Sequence, residues 1–156
     1  MKLALSPIQY KDSKLLSISF DNSLQAETAT SKPSSDTSTS NKRFFSLSID
    51  RNLDYIDEGS GNLACKASLR FTWDIKTSDE EDASPIATVA GAMGALASCP
   101  IDLGDVETVK RTLAANTLSY IWSKLRTVVE QLSSQSPVGT LSLPAIDPLS
   151  LLEDQT

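Results

Sequence analysis

The chain has 156 residues, with 14 Lys and Arg against 20 Asp and Glu, a net charge of −6 and no histidine. That length suits one domain with a single sizeable core. Its basic residues are scattered, with Lys42–Arg43 and Lys110–Arg111 the only adjacent pairs, so it lacks the clustered cations a nucleic-acid partner requires.

The lack of histidine removes His-based triads, Cys–His pairs and ordinary zinc or iron centres. Cys65 and Cys99 form neither a disulfide framework nor a metal motif and read as reduced core thiols. GAMGAL, residues 91–96, lacks both the G-x-G-x-x-G spacing and a P-loop lysine. No catalytic residue, metal or cofactor is therefore expected. The opening MKLALSPIQYKDSK holds too short an apolar run for a signal peptide, and no run of apolar residues is long enough to span a bilayer. These features predict a soluble, cytoplasmic protein.

Residues 15–21, LLSISFD, alternate, with Leu16, Ile18 and Phe20 on one face and Ser17, Ser19 and Asp21 on the other, as in a half-buried strand. Residues 23–42 are rich in Ser and Thr with almost nothing to bury. Such a stretch cannot offset its ordering entropy, which predicts a mobile loop that either bridges distant sheet edges or serves binding. In FFSLSIDRNLDYI, residues 44–56, Phe45, Leu47, Ile49, Leu53 and Tyr55 are expected to face the core. After a DEGSGN turn, residues 63–76 place Leu63, Cys65, Ala67, Leu69, Phe71, Trp73 and Ile75 on one face and charges on the other. Short connections and strict alternation predict an antiparallel meander with one wet face. Beyond the acidic SDEED turn, IATVAGAMGALAS is composed of small residues. Ile86, Thr88 and Val89 favour a fourth strand over a short helix there, with Gly91 and Gly94 permitting close approach or a bulge.

Residues 105–132 carry the strongest helix signal, with Asp105 as cap and Glu107 in the first turn. Val106, Val109 and Leu113 define one apolar line. Leu118, Ile121, Trp122, Leu125, Val128, Val129 and Leu132 define another, rotated around the axis, so a kink or break is expected near residues 114–116. The second half is broader than one sheet can cover, which assigns Leu118, Ile121, Trp122, Leu125 and Val128 to a subunit interface. The tail then bears only one charge, Asp147, between residues 133 and 152, with leucines set among Pro137, Pro144 and Pro148. Chain ends are usually polar. These leucines must meet the chain's own fold, a second subunit or a passing client.

Four antiparallel strands, a long helix and a proline-punctuated apolar tail resemble the SecB export-chaperone family over residues 8–152. The likeness is sharpest in LSLPAIDPLSLL, which stands where the family has an LxLAPVNFDALY-like segment. SISFD at residues 17–21 resembles the family's first strand and SLRFTWDIK its third, and Asn116 falls where the family has a Cys-Pro-Asn turn opening its long helix. The resemblance implies an α+β fold in one domain, residues 1–156: a four-stranded antiparallel sheet followed by the helix and tail. It also implies an ATP-independent holdase that binds unfolded polypeptide in a surface groove, assembled as a dimer or a homotetrameric dimer of dimers.

The apolar residues available to line such a groove are Phe44, Tyr55, Leu143, Ile146, Leu149, Leu151 and Leu152. Of the acidic side chains with which family members engage the SecA motor, Asp21 is retained by position, whereas Ser17 and Thr88 replace two others. Coupling to SecA and a role in protein export are therefore open. A dedicated role beside a toxin–antitoxin pair, binding the antitoxin, is an alternative. So is a structural or regulatory oligomer with no client.

Overall fold

A computed structural model describes residues 6–22, 42–136 and 139–153. The segment expected to be a mobile loop lies, but for Lys42, outside the described residues.

Four long strands form one antiparallel sheet: β1 (Gln9–Asn22), β2 (Phe44–Asp57), β3 (Asn62–Lys76) and β4 (Ala87–Pro100), in the order β1-β4-β3-β2. β2, β3 and β4 are the expected meander. β1 pairs with β4 instead of β2, a Greek-key return that puts β1 and β2 at opposite edges. Gly59 and Gly61 adopt φ of 70° and 77° in the β2–β3 turn, a conformation glycine enters without a Cβ penalty.

The alternation of β3 holds for its whole length, and all seven predicted core residues from Leu63 to Ile75 are buried. Across from them β4 contributes Ala87, Val89, Gly91, Met93, Ala95, Ala97 and Cys99. Small side chains here let a large aromatic lie flat: a Cβ on Gly91 would stand 2.8 Å from Phe71 Cε1 and 3.0 Å from Ile18 Cδ1. IATVAGAMGALAS is thus a strand whose small residues make room for its neighbour's.

β1 departs from the simple alternation. Its pairing with β4 slips between Tyr10 and Asp12 and again between Leu15 and Ser17. Each slip inserts an unpaired residue and reverses the facing of the residues beyond it. Ile18 and Phe20 face the core as expected. Leu16 does not: it is the second inserted residue, 62% exposed, lining a groove on the opposite sheet face with Leu96 and Ile56.

One helix, α1 (Val106–Ser133), covers the inner face of the sheet. Asp105 caps it as expected, accepting from the Thr108 N–H at 3.2 Å. The expected break is not found: α1 runs continuously through residues 114–116. Buried positions run 109, 113, 114, 115, 117, 118, 121, 122, 125, 129 and 133, an unbroken stripe. Ala114 and Thr117 bridge the two apolar lines, and Thr117 buries its hydroxyl by donating to the Leu113 carbonyl at 2.7 Å. Asn116 opens no turn: it is exposed mid-helix and donates its amide to the Thr112 carbonyl. The strand-to-helix turn instead comes after the Cys99–Pro100 pair, through a 3₁₀ turn at Ile101–Leu103.

Gly91→Ala is expected to lower the unfolding free energy by about 1–3 kcal/mol through overpacking against Phe71. Gly94→Ala, whose Cβ would meet only the Ala67 carbonyl at 3.6 Å, is expected to be close to neutral. Urea titration of both variants checks the pair, and equal losses would contradict the close approach.

Candidate functional site

After α1 the chain reverses at Gly139 (φ 83°) and lies back along the helix. Ser133, the last helical residue, accepts from the Leu141 N–H at 2.7 Å, and the Trp122 indole donates to the Pro144 carbonyl at 2.9 Å. Leu141 and Leu143 are buried in the common core. Beyond Pro144 the hold changes. Residues 147–152 fold on themselves: the Leu149 N–H donates to Asp147 Oδ1 at 2.9 Å, and the Ser150 N–H donates to the Asp147 carbonyl at 3.1 Å. A 3₁₀ turn at Ser150–Leu152 comes next, and its Leu151 carbonyl accepts from Arg51 Nε on β2.

The reversal leaves a cleft of about 450 Å³ between the start of the tail and the β2 edge, lined by Arg43, Phe45, Trp73, Leu141 and Pro144. Phe45 pairs with Ile75 and lies on the helix side of the sheet, stacked on Trp73 with centroids 5.3 Å apart. At the sheet edge none of the described residues covers its far side, and it remains 55% exposed. An exposed aromatic on a core-facing position marks apolar area available to a partner.

The structure sorts the predicted groove residues into three groups. Ile146, Leu151 and Leu152 are partly buried against the core, and Leu149 is 43% exposed. Tyr55 also faces the helix: its hydroxyl donates to the Lys110 carbonyl at 3.4 Å, and the Lys110 ammonium lies 5.6 Å from its ring centroid. Burial, reinforced by Cys65 and Glu107, pushes that hydroxyl's pKa up. Leu143 is fully buried and offers no surface. Phe44 pairs with Lys76 one register position from Phe45, which turns it to the other sheet face, away from the tail.

The assignment of Leu118, Ile121, Trp122 and Leu125 to a subunit interface does not survive. All four are buried within one chain, between the sheet and the returning tail. The second side of the helix is covered by the chain's own C-terminal segment. Val128 alone of that group keeps partial exposure. Asp21 is exposed on the outer sheet face opposite Thr88, which donates to Asp74 at 2.7 Å.

Sequence reasoning missed Phe45 and Trp73 as cleft residues and passed over Arg51. Arg51 carried a readable signal: it is a charged residue at a core-facing position in the middle of β2, with Ile49 and Leu53 two residues to either side.

The two thiols are chemically quiet. Burial pushes Cys65 up to about 11, partly opposed by the hydrogen bond with Thr117, and burial also raises Cys99. A thiol held protonated at neutral pH is a poor nucleophile. Among the described residues no cluster of His, Cys, Asp and Glu is placed to hold a metal ion, and no helix is long and apolar enough to cross a membrane.

No protein-family model matches the chain, and no curated protein matches it significantly. Among the solved structures that share its fold are two from bacteria. One is the SecB-like chaperone Rv1957 of Mycobacterium tuberculosis in complex with a ChAD peptide from the Rv1956 HigA1 antitoxin. It is 15% identical with a TM-score of 0.55, covering 89% of this chain and 90% of its own. The other is a Streptococcus agalactiae protein of unknown function, 13% identical with a TM-score of 0.50, covering 88% and 97%. The fold is SecB-like: an α+β unit in which a long C-terminal helix succeeds a four-stranded antiparallel sheet.

This packing has two measurable outcomes. Ser133→Ala leaves the buried Leu141 N–H without its acceptor and is expected to cost about 1–3 kcal/mol, read by urea denaturation. The second concerns Cys65. A thiol pKa raised on folding stabilises the fold below the unfolded value near 9, and that contribution is lost as pH rises toward 11. Cys65→Ala should therefore flatten the fall in melting temperature above pH 9, measured by a thermal series against the parent chain.

Proposed function

We propose that this protein is a polypeptide-binding chaperone, a holdase that takes up extended apolar segments of non-native chains without nucleotide hydrolysis. The observation that carries the reading is the cleft at the β2 edge. There Phe45, stacked on the buried Trp73, stands open on the core-facing side of the sheet beside the docked start of the apolar tail, Leu141 to Pro144. Such a site suits an extended client, which brings apolar side chains and main-chain hydrogen-bonding groups but no fixed shape. The SecB-like chaperone of like fold was solved with a peptide bound, which supports a polypeptide as the ligand class here.

The client lies along Phe45, Trp73 and Tyr55 on the sheet, in the groove whose tail side is made in the free protein by Ile146, Leu149, Leu151 and Leu152. The reading takes the cytoplasm as compartment, in keeping with two free, buried cysteines. A dedicated client is favoured over general export by the antitoxin peptide in the neighbour's structure and by Ser17 and Thr88 standing where acids serve motor contact in the family. Asp21 is the residue left for such a contact. A dimer or dimer of dimers would have to use side chains still exposed on one chain, among them Tyr10 and Leu15 on β1 and Leu132 on α1.

The test is titration with reduced, carboxymethylated α-lactalbumin, a permanently unfolded probe, monitored by fluorescence anisotropy. Binding at micromolar concentration is expected. Phe45→Ser removes apolar contact of about 1 kcal/mol and should weaken binding roughly fivefold, with little loss of stability because the ring is more than half exposed. A protein that neither binds this probe nor slows aggregation of a heat-denatured one is not a holdase.

A further inference from the structure

We propose that Arg51 is a main-chain anchor within the client groove, and that the terminal turn, residues 147–152, occupies this anchor in the free protein as an intramolecular competitor of the client. The proposal rests on the holdase reading and adds to it a recognition residue and a way of regulating access.

Three observations lead to it. Arg51 projects from the helix-side face of the edge strand β2, pairs with Leu69, and is flanked on that face by Ile49 and Leu53. A guanidinium in such a setting must be given acceptors, because its desolvation is costly without them. An acceptor it finds on the tail is the carbonyl oxygen of Leu151, a main-chain group. Every polypeptide offers that same group at every residue, so an arginine that docks a carbonyl beside apolar surface reads extended chain without reading sequence.

The tail is fastened unevenly. Leu141 and Leu143 are buried, and Ser133 and Trp122 hold their backbone to the helix. Leu149, Leu151 and Leu152 keep exposed surface, and the hydrogen bonds of residues 147–152 run largely within the turn itself, centred on Asp147. The turn can therefore leave as a unit, with its own hydrogen bonds intact, while the inner segment stays docked.

The seated turn also resembles a client chemically. It presents leucines on either side of a main-chain carbonyl and bears no charge from Pro148 to Leu152. An arriving segment of the same character would replace it contact for contact. Its apparent affinity would then be lowered by the fraction of chains in which the turn is seated.

The experiment uses the full chain and three variants: Leu151→Ser with Leu152→Ser, Arg51→Gln, and the triple substitution. Carboxymethylated α-lactalbumin is the client probe, and a synthetic peptide of sequence AIDPLSLLE is the competitor. Unseating the turn with the two serines should tighten client binding roughly threefold to tenfold, because the competent fraction rises. Adding Arg51→Gln to that background should remove most of the gain. AIDPLSLLE should displace the client from the serine variant, and weakly or not at all once Arg51 is replaced. Each variant's melting curve confirms that it is folded.

If the serine variant binds the probe more weakly than the parent, the leucines hold the client and the competitor role is overturned. Unchanged client affinity on adding Arg51→Gln overturns the anchor. If no variant binds the probe, the holdase reading itself fails, a result distinct from either of these.

Discussion

Three layers of this protein meet at one side chain. Trp122 projects from the middle of α1, its ring edge-on to Phe71 of the sheet with centroids 5.7 Å apart, and its indole N–H donates to the Pro144 carbonyl of the tail. Phe71 in turn lies across Gly91, so the position of the indole depends on a missing Cβ on β4. The tail's course depends on the indole's single donor, which sets where Pro144 sits and hence where the cleft beside Phe45 opens. An aromatic with a polar handle suits this place: its face and edge fill the core while its N–H ties down an irregular segment.

Much of the architecture was legible because it rests on periodicity. β3 reads as a strand from its alternation alone, and the Asp105 cap and the glycines of the β2–β3 turn come from local chemistry. β4 was harder, since its small residues suit a helix as well as a strand; Thr88, Val89 and the preceding strands decided it correctly. What failed did so for physical reasons. Ala114 and Thr117 are too small or too polar to count as apolar markers, so an unbroken stripe looked like two. The two slips in β1 leave no mark in composition, and Leu16 was turned to the wrong face as a result. The excess apolar surface on α1 was real, but its cover came from residues 141 and 143 of the same chain, whose return a linear pattern does not show.

The candidate site was only partly legible. The apolar tail announced itself by its want of charge, and its leucines divide into a buried pair and an outer set. The sheet side was misread by one residue: alternation put Phe45 on the core-facing side, yet the groove was assigned to its neighbour Phe44, which the pairing turns to the outer face. Arg51 was hidden in plain alternation, where its charge looked like an interruption of the apolar face. Nothing in the site depends on a tuned proton or an activated nucleophile; what it offers is apolar area and main-chain hydrogen bonding.

The Greek-key return bears on how the protein comes into being. Among the four strands of the sheet β1 is synthesised first, yet its partner β4 comes last: Gln9 pairs with Ser98, and Asn22 with Ala87. At roughly 5–20 residues per second of translation, Ile18 and Phe20 wait for seconds with no strand to cover them. Loop closure of this length also makes β1 the costliest strand to add to a meander that forms locally. Until β4 arrives, the nascent chain displays an extended, alternating, apolar segment with unpaired backbone. In its own birth the protein passes through the kind of state it is proposed to hold in others.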